Sequence, residues 1–148
     1  VGYSLGKKDL KLFKTIIKNS FLLSSLTGLL ISIIYFFINE HIINLMSDIE
    51  NIRKLSSSYV IWLILLPFIA SFCYQFDGIF IGSSQTKELR NAMIFSVFCY
   101  LLISITLTEY LFNTGVWISL CLFMILRGLS LFYYLDKIYQ RFDSKINT

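Results

Sequence analysis

The stretch QFDGIFIGSSQTKELRNAM, Gln75 to Met93, sets a carboxylate, Asp77, near the end of an otherwise apolar segment. Asp77 lies about five residues inside that segment, roughly 8 Å deep at 1.5 Å per residue, and Arg127 lies about eight residues inside another. A charge at such depth in a membrane costs a few kcal/mol on insertion scales and faces a partner or a cavity. Three readings are open for Asp77. It pairs with Arg127 and locks two helices together, it titrates or senses an ion, or it reaches the interface. Gln75 shares its half of the segment and suits a hydrogen bond between helices. Gly78 and Gly82, four apart, allow close helix approach. Pro67 lacks the N–H that a helix would use, which predicts a kink with a free carbonyl near Leu63. Asn91 and Ser96 line a cavity or satisfy a helix start.

Other chemistry is poorly supported. No Ser/His/Asp set, Walker loop, HExxH or dinucleotide fingerprint occurs, so an enzyme is not expected. The lone His41 stands beside Glu40 and reads as a solvated residue, and Glu109 reads as snorkelling to an interface. Cys73, Cys99 and Cys121 sit singly in apolar runs without a CxxC, as small buried hydrophobes do, and no metal or cofactor is expected.

The elements that must hold these groups are membrane helices. Hydrophobic residues make up 56% of the chain and charged ones 15%, where a soluble domain carries roughly a quarter. The mean hydropathy is +0.70. Four segments reach the ~20 residues needed to cross a hydrocarbon core: about 16–38, 59–82, 92–112 and 116–135. The expected fold is therefore an all-α integral membrane protein of four transmembrane helices. Tyr59, Trp62 and Trp117 fall near segment ends, where aromatic belts anchor a protein.

Charge sets the direction. Of the 13 basic residues, Lys7, Lys8, Lys11, Lys14 and Lys18 lie before or at the start of the first span. Lys87 and Arg90 lie between the second and third, and Lys137, Arg141 and Lys145 follow the fourth. Only Arg53 and Lys54 fall on the opposite side. The positive-inside rule then puts both ends and the 83–91 loop in the cytoplasm. Basic residues that follow topology do not make a nucleic-acid patch.

Three further expectations concern the connections. Ile42, Leu45, Met46, Ile49, Ile52 and Leu55 recur at helical spacing with Asp48, Glu50 and Arg53 between them, which predicts a short amphipathic outer helix over 42–55. Asn113-Thr114-Gly115 predicts a tight outer turn. Gly2-x-x-x-Gly6 followed by Lys8-Asp9-Leu10 echoes Gly78-x-x-x-Gly82 followed by Lys87-Glu88-Leu89, with three residues inserted. The chain opens on Val1 and its first apolar run follows five lysines, so the natural start is expected upstream.

Four stretches in order carry a resemblance. VGYSLGKKDLKLF is similar to the V-G-x-x-x-G-x-x-D segment in the C-terminal half of MATE (multidrug and toxic compound extrusion) transporters. LMSDIENIRKLSSSYVIWLILLP resembles the following outer loop and helix. FDGIFIGSSQTKELRNAM, the most specific, resembles the D-G-x-F-x-G…T-[KR]-x-x-R-N-x-[ML] segment of the DinF-like branch. NTGVWISLCLFMILRGLSL resembles the last helix. The resemblance implies that residues 1–148 are part of the C-terminal lobe, helices nine to twelve of a twelve-helix transporter. It implies a cytoplasmic (inner) membrane location and export of cationic, lipophilic compounds in exchange for H⁺ or Na⁺. The partners it implies are membrane lipid and the N-terminal lobe of the same chain. In that branch the assigned proton-coupling carboxylate lies in the first helix, which is absent here. Asp77 is thus expected near the cytoplasmic gate with Arg127. Two other functions stay open: a lipid-linked precursor flippase of the wider superfamily, and a stand-alone four-helix membrane scaffold.

Overall fold

The computed structural model describes residues 1–143; residues 144–148, with Lys145 of the basic tail, lie outside the described residues. The elements are α1 (Gly2–Gly6), α2 (Leu10–Met46), α3 (Glu50–Gly82) and α4 (Thr86–Asp143), with no strand among the described residues. Among the described residues three helices, α2, α3 and α4, are long and apolar enough to cross a membrane. Within α4 the backbone leaves helical geometry at Phe112, with φ 50° and ψ −130°. The chain doubles back there. Tyr100 and Phe123 meet with ring centroids 5.7 Å apart, and a Cβ on Gly115 would collide with the Leu107 carbonyl. We call residues 86–111 and 113–143 the first and second arms.

Asp9 starts α2 by accepting the Leu12 N–H at 2.9 Å, filling one of the donor positions a helix leaves open. With 37 residues, α2 extends about 55 Å at 1.5 Å per residue. Its ends project well beyond a hydrocarbon core of ~30 Å.

Two expected connections take another form. No separate helix forms over 42–55. Ile42, Leu45 and Met46 complete α2, and Ile52 and Leu55 belong to the first turns of α3. The break falls on residues 47–49, where Arg53 clamps the turn: its Nε donates to the Ser47 carbonyl at 2.6 Å, and its Nη2 to Asp48 at 3.3 Å. The outer turn is likewise displaced. Residues 113–115 are helical and the reversal sits on Phe112, so Gly115 serves the close approach of the two arms.

Helix α2 runs antiparallel to α3. Ser24 Oγ donates to the Ser71 carbonyl at 2.9 Å, while Phe21 stacks near Phe72 and Phe76. The second arm of α4 runs parallel to α3, because Tyr59 faces Trp117 at one end and Phe76 faces Phe132 toward the other. Helix α3 continues through Pro67 without a break.

The core gathers at one end. Phe13, Ile17, Ile79, Phe80, Ala92, Leu131, Leu135, Ile138 and Phe142 form one buried cluster, all close to the lysine-rich turns. Away from it, Leu22, Leu29, Phe36 and Ile105 point outward, as lipid-facing positions do.

The turns after α1 and α3 share one backbone pattern. Lys7, Lys8 and Asp9 N–H groups bond to Tyr3, Leu5 and Ser4 carbonyls; Ser83, Ser84 and Gln85 bond to Ile79, Ile81 and Phe80. Lys8 and Ser84 both take positive φ, 55° and 57°. This is a left-handed helix-ending turn in which the last carbonyls are satisfied from beyond the helix. Residue n therefore matches residue n + 76, since 84 − 8 = 76. The echo seen in the sequence is present with no insertion: Asp9 matches Gln85, and Lys87-Glu88 falls one turn later.

Candidate functional site

Asp77 and Arg127 meet. Helix α3 brings Asp77 and the second arm of α4 brings Arg127, with Arg127 Nη2 2.8 Å from Asp77 Oδ2. Both side chains are largely buried, at 14% and 12% exposure. The contact joins one nitrogen to one oxygen, end-on. Asp77 Oδ1 and Arg127 Nε are buried and have no hydrogen-bond partner among the described residues. A guanidinium and a carboxylate fit best as a two-pronged fork, which satisfies both oxygens. Here the second oxygen retains lone pairs that a proton, a cation or a further donor can take.

An apolar groove of about 450 Å³ runs along the same two helices. Phe68, Phe72, Cys73 and Phe76 line one wall, and Met124, Gly128, Leu129 and Phe132 the other. Cys73 lies one turn before Asp77 and Gly128 directly follows Arg127, so the groove and the ion pair are neighbours.

The remaining predicted residues scatter. Gln75 lies on another face, in a groove of about 410 Å³ shared with Ser24, Thr27, Ser71 and Tyr74. Its side chain makes no hydrogen bond among the described residues. Pro67 lines the same groove and presents its carbonyl to Gly28 of α2. Gly82 packs tightly: a Cβ there would lie 3.2 Å from Val1 Cβ. Gly78 does not, because nothing stands within 4 Å of its would-be Cβ. Among the described residues it is no helix contact. Asn91 borders a space of about 390 Å³ between the two arms, with Phe95, Ser130 and Tyr134. Ser96 is buried and bonds back to the Ala92 carbonyl at 2.7 Å. Cys73 and Cys121 are buried free thiols.

Sequence reading missed two contacts. Glu88 and Lys137 approach to 3.6 Å across the arms, and no local pattern links residues so far apart. Gly28 presses against Ser71. Its signal was present in Ser24 and Gly28, two small residues one helical turn apart.

Comparison with known proteins places this arrangement. Over 108 residues the chain is 39% identical to "DNA damage-inducible protein F" of Escherichia coli (strain K12). That alignment covers 73% of this chain and 23% of the relative, so the chain spans under a quarter of the relative's length. No solved structure matches. The MatE family model matches residues 1–110, ending before Arg127 but including all of α1 to α3 and the Asp77 segment. As the sequence motifs led us to expect, the chain belongs to the MatE family.

Proposed function

We propose that this chain is part of the C-terminal lobe of a twelve-helix secondary antiporter, supplying helices nine to twelve. α2, α3 and the two arms of α4 each cross the cytoplasmic membrane in this reading, giving four spans with both ends cytoplasmic. The substrate is a cationic, lipophilic compound exported by alternating access in exchange for H⁺ or Na⁺. No cofactor besides that ion is required, and the partners are lipid and the N-terminal lobe.

The observation that carries the reading is the end-on Asp77–Arg127 pair between parallel helices, with one carboxylate oxygen unpartnered. A single N–O contact in low dielectric breaks and remakes as helices shift, whereas its desolvation keeps the broken state rare. Asp77 and Arg127 thus act as a gate fastening, and the free oxygen lets an ion compete for it. A flippase of lipid-linked precursors would want a strongly cationic cavity; Arg127, the one cation deep within these spans, is neutralised by Asp77.

The test is Asp77→Asn in the full-length protein, with export and protein level measured together. Reduced export per molecule is expected. If export per molecule holds while the level falls, the pair is structural alone; if neither changes, both roles are wrong.

A further inference from the structure

We infer that the apolar groove between α3 and the second arm of α4 is the acyl-chain half of a binding site for an anionic phospholipid, and that Lys11, Lys14 and Lys18 of α2 hold its phosphate. The inference rests on the proposed topology only for the leaflet, which is then the cytoplasmic one.

The three lysines open α2 at spacings of three and four, so they share one helix face, and all three are exposed. No acid stands in the first turn of α2, and the Asp9 carboxylate before it is turned to the Leu12 N–H. Higher up, the same face carries exposed Leu22 and Leu29. Ammonium groups just below lipid-facing leucines lie at headgroup level, where the phosphates of anionic lipids attract them.

This basic face closes the foot of the groove. Phe21 of α2 packs on Phe72 and Phe76, which line one wall. Phe76 faces Phe132 of the other wall, with ring centroids 6.1 Å apart. Lys14 lies two turns before Phe21, and Tyr139 lies two turns after Phe132, each about 10 Å along its helix. The two meet there, with Lys14 Nζ 5.9 Å from the centre of the Tyr139 ring. A cation over an aromatic face is attracted to it, so positive charge is held at the end of an apolar channel. Asp136, between Phe132 and Tyr139, is exposed and is outnumbered by the three lysines.

The pairing of the two surfaces selects the ligand. A soluble anion would use the lysines and leave the groove empty. An uncharged apolar molecule would use the groove and leave the lysines. A phosphodiester with an acyl tail uses both, and the groove is lined by no charged side chain. Gly128 keeps it wide, since nothing stands within 4 Å of its would-be Cβ.

The test uses the full-length protein. Native mass spectrometry compares retention of phosphatidylglycerol with that of phosphatidylcholine. Several-fold stronger retention of the anionic lipid is expected. Lys11→Gln, Lys14→Gln and Lys18→Gln together should abolish the preference, whereas Lys87→Gln with Arg90→Gln, on the loop after α3, should keep it. Gly128→Leu should weaken retention by filling the groove. Equal retention of the two lipids, or a preference that survives the triple lysine variant, overturns the site. A second measurement needs no variant: phosphatidylglycerol with a photoactivatable acyl chain is irradiated in vesicles holding the parent protein. Labelling concentrated on residues 68–76 and 124–132 supports the site. Even labelling of all lipid-facing helices overturns it, and an unlabelled groove overturns it in favour of cover by another part of the protein. Neither readout depends on transport. A labelled groove in a protein that exports nothing would refute the antiporter reading and leave the lipid site standing.

Discussion

Gly28 on α2 and Ser71 on α3 approach so closely that a methyl group has no room between them. A Cβ on Gly28 would lie 2.8 Å from the Ser71 hydroxyl oxygen and 3.2 Å from the Pro67 carbonyl. The adjacent bond from Ser24 to the Ser71 carbonyl depends on the same approach. Gly28→Ala should therefore part the helices and cost about 1–3 kcal/mol, the usual range for overpacking. Unfolding in detergent measures it. A Gly28→Ala protein as stable as the parent would show that the helices are not pressed together here.

The Asp77–Arg127 pair predicts strong non-additivity. Removing one partner strands a buried charge, at a cost of about 3–5 kcal/mol, whereas removing both leaves no charge behind. Asp77→Asn with Arg127→Gln should thus be more stable than the sum of the single losses implies. Thermal unfolding of the four proteins decides it, and additive losses would mean that the two side chains do not interact.

Phe112 sits at φ 50° and ψ −130°, a backbone region that costs a residue with a Cβ about 1–3 kcal/mol. The residue is 77% exposed, so truncation gives up little packing. Phe112→Gly should raise the unfolding temperature in detergent, even after the ~0.5–1 kcal/mol that glycine's backbone freedom takes back. A lower temperature would mean that the ring anchors the hairpin.

Lys8 and Ser84 hold the same left-handed position in matched turns. Each pays roughly 1–2 kcal/mol for a Cβ there. Lys8→Gly and Ser84→Gly should stabilise by similar amounts, and the double variant by their sum, because the sites are independent. Stabilisation at one site alone would show that the turns are not equivalent.

Much of this was legible from residue types and spacing. Asp77 and Arg127 are opposite charges at comparable depth in segments running the same way, and polarity that costly calls for a partner. The division of 42–55 was not legible. A helical repeat of apolar residues reads alike whether it is one surface helix or the ends of two long ones, and only the Arg53 clamp on Ser47 and Asp48 decides. Gly115 invited a turn by its type, yet serves as a contact, because a glycine's missing side chain suits either use. The 76-residue register was hidden by matching Lys8 to Lys87: identical letters outweighed the backbone match of Asp9 to Gln85.

The buried cluster around Phe13, Phe80 and Leu131 gathers at one end of the bundle, and this has a mechanical consequence. Helices knotted at one end behave as levers with a common fulcrum, so displacement grows with distance from the knot. About 20 residues of helix beyond it make an arm of ~30 Å, and a tilt of about 10° would sweep its tip through ~5 Å. A tilt of that kind moves the far rim most, where the Tyr59 and Trp117 rings stack at 6.4 Å, and moves the Asp77–Arg127 contact beside the knot much less.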